Sequence, residues 1–175
     1  MKKVLVLCFV TLVALCSFAQ SGQEEKEHFE FKGISMGLPY DQFAQKLKTA
    51  GYVFEESRDV NTYDKLFMFK GTFAGVKDCY IIVQTPSNKK YVVSVMAIFS
   101  ERYSTEGRFK ELKEAFVKKY GDEGIAENDS ESCFWVLDNG YIRIGNTNGL
   151  TVTYVDKKNR ERLEKDKEQR INDDI

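Results

Sequence analysis

The sequence predicts an α+β fold, in which one or two antiparallel sheets are covered by two helices, and three observations carry that prediction. Two segments, over 39–50 and 105–120, repeat apolar residues at the helical period, whereas most of the chain between and after them alternates at period two. The alternating segments are rich in β-branched and aromatic residues, which suit a pleated, half-buried surface. The links between them are short and built on Gly, Asn, Asp and Pro, which makes consecutive strands antiparallel neighbours.

Order is expected from Phe29, after a polar lead over 20–28. Phe29 and Phe31 alternate with charged residues as in a strand, and Gly33 and Gly37 bracket the loop that follows. Pro39 suits the first turn of a helix, where a missing N–H costs nothing, and Phe43, Ala44, Leu47 and Ala50 form its apolar face up to Gly51. Four strands follow, over 52–55, 66–73, 76–84 and 91–99. In Phe67, Phe69 and Phe73 one parity is strongly apolar, while Lys65 and Lys70 mark places where water reaches the sheet.

The second helix carries Phe109, Leu112, Phe116 and Tyr120 on one stripe, with Thr105 able to cap its start and Lys118 and Lys119 placed in its last turn. Three more strands are predicted over 132–137, 141–145 and 150–155. Asp138-Asn139-Gly140 and Asn146-Thr147-Asn148-Gly149 supply the positive φ angles that their tight hairpins require. The pattern fits two consecutive helix-plus-sheet units, over 29–101 and 102–156, or one continuous sheet with both helices on one face. Residues 157–175 are almost wholly polar. Pairs such as Arg160 with Glu164 suit a solvated helix anchored through Leu163.

At the other end, Lys2 and Lys3 precede an apolar run over 4–15, and Ser17 and Ala19 put small residues at the cleavage positions. This is the pattern of a secretory signal peptide over 1–19, so a periplasmic or secreted protein is expected. A run of roughly a dozen residues is too short to span a bilayer, and no integral membrane segment is expected after cleavage. Cys16 stands where an acylated cysteine would, but Leu15 precedes it, which favours export without lipidation.

The full chain of 175 residues has 26 basic and 27 acidic side chains. Removing the signal takes two lysines and no acids, leaving a charge of about −3. A weakly acidic chain with its basic residues mixed among acids is a poor nucleic-acid binder. Of the four cysteines, Cys79 and Cys133 remain outside the signal. They are either a disulfide, worth about 4 kcal/mol from chain entropy, or two buried small hydrophobes.

Catalytic chemistry has little to stand on. There is one histidine, His28, expected to be exposed and without a partner. No nucleophile elbow, phosphate loop or dinucleotide fingerprint occurs. Asn128, Asp129 and Glu131 lack the spacing of a calcium loop, and no metal or other cofactor is expected. Aromatic residues are the one surplus, at 13% of the chain. Trp135 reads first as core, but it and Tyr63, Tyr80, Tyr103 and Tyr141 are the candidate contact residues, should they be exposed together.

The segment Phe31-Lys32-Gly33-Ile34-Ser35-Met36-Gly37-Leu38-Pro39, with Phe43, Leu47 and Gly51 after it, resembles the opening of small exported bacterial domains of the β-lactamase-inhibitor-protein type. It is also similar to that of the SmpA/OmlA outer-membrane assembly lipoproteins. The resemblance implies a helix-covered sheet that works by binding another protein, without a cofactor. The missing lipidation pattern departs from the second group. The expectation is thus a non-enzymatic envelope module that binds a protein or envelope component. The alternatives are a small-ligand or glycan binder with an aromatic-lined groove and, behind it, a hydrolase.

Overall fold

Lys32 and Gly33, with φ of 52° and 75°, turn the chain between β1 (Glu30–Phe31) and β2 (Ile34–Ser35). Two central residues at positive φ match the right-handed twist of the strands they join. This hairpin begins the computed structural model, which describes residues 27–122, 125–128 and 132–173. The expected signal segment lies outside the described residues.

Helix α1 (Tyr40–Thr49) starts directly after Pro39 and buries Tyr40, Phe43, Ala44 and Leu47. A meander follows: β3 (Val53–Asp59), β4 (Asp64–Phe73), β5 (Val76–Pro86) and β6 (Ser94–Ile98). Helix α2 (Glu106–Tyr120) begins at Thr105, whose side chain accepts from the Arg108 amide at 3.2 Å. After it come β7 (Ile125–Asn128), β8 (Ser132–Leu137), β9 (Gly140–Gly145) and β10 (Thr151–Asp156), and then helix α3 (Lys157–Asp173).

These strands build one eight-stranded antiparallel sheet in the order β3-β4-β5-β6-β10-β9-β8-β7. Each half of the chain contributes a helix and a four-stranded meander, and the halves meet where β6 pairs with β10, from Thr151 opposite Ile98 to Val155 opposite Ser94. The α+β class and the antiparallel sheet are therefore observed. The sheet is single, and the described residues hold three α-helices where the predicted class counts two over the sheet.

Side-chain parity divides the sheet. Phe67, Phe69, Ile81, Val83, Val95, Ala97, Val152, Ile144, Ile142, Cys133 and Trp135 share one face, and they join Phe43 and Leu47 of α1 and Phe109 and Leu112 of α2 in one buried core. Full burial of such side chains contributes about 1.5–3 kcal/mol each. The β1–β2 hairpin closes this core through Phe31, which stacks on Phe73 with centroids 5.7 Å apart and meets Tyr154 edge-on at 5.4 Å.

Cys79 and Cys133 are both buried and are not bridged to each other. Cys79 is in β5 and Cys133 in β8, four strand spacings apart across the sheet, or about 19 Å. A disulfide needs Cα atoms within about 7 Å. The thiol of Cys79 instead points to the Val76 carbonyl oxygen at 3.5 Å, and burial raises its pKa.

Candidate functional site

Among the described residues, no helix covers the middle of the opposite face of the sheet. Registers place Glu56, Met68, Ile82, Met96, Thr153, Arg143 and Phe134 directly opposite one another in a single row across seven strands. Every residue of this row is reached by solvent, whereas their chain neighbours Phe67, Ile81, Val95, Val152, Ile142 and Trp135 are buried. A flanking row runs Lys70, Tyr80, Ile98 and Thr151, and another runs Leu66, Gln84 and Ser94. The first half of the sheet thus presents Leu66, Met68, Ile82, Met96 and Ile98 at its surface. Isolated exposed apolar residues need no explanation, but a contiguous patch of them marks an interaction surface.

A dimple of about 180 Å³ opens among Leu66, Met68 and Ile82. Glu56 and Arg58 form its rim and pair with each other at 2.6 Å. Lys70 and Arg102 both approach Asp78, at 3.2 and 3.7 Å, and the pairing with Asp78 holds the Lys70 ammonium above its usual pKa. Across the row, exposed Arg143 has no ion-pair partner among the described residues.

Helix α3 borders one end of this face. Leu163 is buried against Tyr91 and Val93, the Tyr91 hydroxyl donates to Asp166 at 3.2 Å, and Lys167 pairs with Asp64 at 3.1 Å. Asp64 shares the parity of Leu66 and Met68, so the helix walls the row of Leu66 on the open side. Burial, reinforced by Asp166, pushes the Tyr91 phenol up to about 12.

The start of α3 is fixed by Asp156, which is wholly buried. Its Oδ1 accepts from the Asn159 amide at 2.8 Å as a helix cap, and its Oδ2 accepts from the Phe29 amide at 2.7 Å. His28 Nδ1 lies 3.1 Å from the same Oδ2. Asn159 Nδ2 in turn donates to the carbonyls of Met36 and Val92, at 3.0 and 2.9 Å. The expected exposure of His28 is therefore corrected. Its partner is 128 positions away, where no local pattern could reveal it.

A second concavity, of about 610 Å³, lies beside this cluster between the β1–β2 hairpin, the end of α2 and the β8–β9 turn. Phe29, Tyr120, Leu137 and Tyr154 form its apolar wall, and Lys32 and Lys119 stand at its edge. Burial pushes the Tyr154 phenol well above its ordinary value.

The aromatic candidates disperse. Tyr80 is on the open face and 38% exposed, and Tyr141 is on the same face, 5.0 Å from Phe134 between ring centroids. Tyr63 lies at the α3 end with Arg170 over its ring at 5.7 Å. Tyr103 packs half-buried against the core. Trp135 is no contact residue: it is fully buried, and its Nε1 donates to the Gly121 carbonyl at 3.0 Å. The aliphatic row is not among the aromatic candidates that composition singles out. Strand alternation alone would have found it, since Met68, Ile82 and Met96 are apolar at positions whose neighbours already supply the core face.

Among the described residues no group of three or more His, Cys, Asp or Glu could hold a metal ion, and no helix is long and apolar enough to cross a membrane. Asp129 and Glu131 lie outside the described residues. Comparison with family models, with curated proteins and with solved structures found no significant match.

Proposed function

We propose that this protein is an exported, non-enzymatic binding module of the cell envelope whose open sheet face docks another protein. The observation that carries the reading is the row Met68, Ile82 and Met96, apolar and half-buried, at the centre of a sheet whose other face already has a full core. Removing these side chains from water would supply affinity, and the ion pairs around them would form the polar rim of an interface. A rigid sheet costs little ordering on binding. Crosslinking in the host envelope, followed by affinity purification and mass spectrometry, tests it. The expected result is a reproducible partner joined through Lys70 and lost in Met68→Lys. Recovery of the protein alone, or of a partner indifferent to that substitution, would refute it.

A second reading is a small ligand or glycan fragment in the concavity between Tyr120, Tyr154 and Lys119, because its volume falls within the range of ligand pockets. Thermal stability would then rise with ligand concentration, by about 2.7 kcal/mol at a hundredfold excess over Kd. A panel of peptidoglycan fragments that leaves the melting temperature unmoved would remove this reading.

A further inference from the structure

The open face is chemically lopsided, and the lopsidedness describes what it binds. Its β4–β6 side is aliphatic and holds the dimple among Leu66, Met68 and Ile82; its β9–β10 side is polar, with Thr153 and Arg143 continuing the same row. Glu56 is matched by Arg58, and Lys70 and Arg102 share Asp78, with Glu55 also acting on Lys70, whereas Arg143 is exposed with no ion-pair partner among the described residues.

We infer that the partner presents one bulky apolar side chain to the Met68 dimple and, across the row, a carboxylate to Arg143, which rests on the open-face reading above. A volume of about 180 Å³ suits a single Phe, Leu or Met side chain, the kind of central anchor that dominates protein interfaces. Arg143 can bind a carboxylate through two parallel N–H donors. Three strand spacings separate Ile82 from Arg143 and four separate Met68 from it, or about 14 and 19 Å. At about 3.3 Å per residue of extended chain, the acid stands four to six residues from the anchor.

Panning a phage-displayed library of random linear peptides against the purified protein tests this directly. The enriched peptides are expected to share Phe, Leu or Met four to six positions from Asp or Glu. Their affinity should fall at least tenfold with Arg143→Glu and vanish with Met68→Lys, both variants being verified as folded by circular dichroism. Peptides that need Met68 but carry no acid, or ignore Arg143→Glu, overturn the inference while leaving the open-face reading standing. Peptides indifferent to both substitutions overturn the two together. No enrichment also overturns the inference, because a determinant of this length is what the library samples. A concentration-dependent dimer abolished by Met68→Lys would assign the row to a second copy of this chain and overturn it as well.

Discussion

The two halves of the chain have the same make-up, a helix and then a four-stranded meander, yet they diverge on the surface and agree in the core. On the covered side both give fully buried rows, Phe69, Ile81, Val95 and Ala97 in the first half and Trp135, Ile142, Ile144 and Val152 in the second. On the open side the first half groups Leu66, Met68, Ile82, Met96 and Ile98, whereas the second has Thr151, Thr153 and Arg143 next to them and Phe134, Val136 and Tyr141 only at its far end. Packing density constrains the first set tightly, because a missing methylene leaves a void. Nothing in folding demands aliphatics in the second. Where two halves built alike differ most in the middle of the face that no helix covers among the described residues, the difference points to use rather than stability.

The comparison breaks first if the core is not shared. Phe69→Ala in the first half and Trp135→Ala in the second should each cost about 3–5 kcal/mol. Because α1, α2 and strands β4, β5, β6, β8, β9 and β10 contribute to one cluster, each should lower a single cooperative transition, seen alike by near- and far-ultraviolet circular dichroism. Two separate transitions, each moved by one substitution only, would mean that the halves fold independently.

The next largest effect is expected at Asp156, which joins elements from both halves. Asp156→Ala removes a helix cap and a buried acceptor for two other groups, so about 3 kcal/mol should be lost. Asn159→Ala leaves the Met36 and Val92 carbonyls without that donor and should cost about 2 kcal/mol. Denaturant midpoints at constant slope would measure both. A loss below 1 kcal/mol at Asp156 would mean that the hairpin, β10 and α3 are held by packing alone.

How much of this was legible follows from the range of each interaction. Alternation, helical stripes and turn residues are local, so the class, α1, α2 and the β8–β9–β10 meander could be read directly. Strand β7 could not, since Ile125-Ala126-Glu127-Asn128 has neither a β-branched run nor an aromatic to announce it. The pairing of β6 with β10 joins residues some fifty positions apart and leaves no local mark. The same distance defeated the site. Cys79 and Cys133 look pairable in a list of residues and are four strands apart in the sheet, while His28 and Asp156 look unrelated and touch. The aromatic surplus says nothing of Met68 and Ile82, and Trp135, first read as core, is fully buried there.

Alkaline titration sharpens the contrast between buried and exposed phenols. Burial raises Tyr40, Tyr52 and Tyr91 to about 12, against an ordinary value near 10. A folded value above the unfolded one gives stability that is complete below pH 10 and lost as the pH rises through 12. Phenolate absorbance should therefore gain a late component that coincides with base unfolding, and Tyr91→Phe should reduce it. A titration complete by pH 11 with the fold intact would contradict this burial.

The smallest effects belong to the open face and to α3, and their smallness is the point. Met68→Lys and Arg143→Glu replace residues that solvent already reaches, so stability should change by no more than about 0.5 kcal/mol. Arg160→Ala, which breaks an exposed pair with Glu164 at 3.3 Å, should cost only a few tenths. Met68→Lys and Arg143→Glu should nonetheless separate from Arg160→Ala in the binding assay. If Met68→Lys instead cost 2 kcal/mol or more, the aliphatic row would be a second core under α3. Its chemistry would then be explained by folding, and the difference between the halves would reflect stability rather than use.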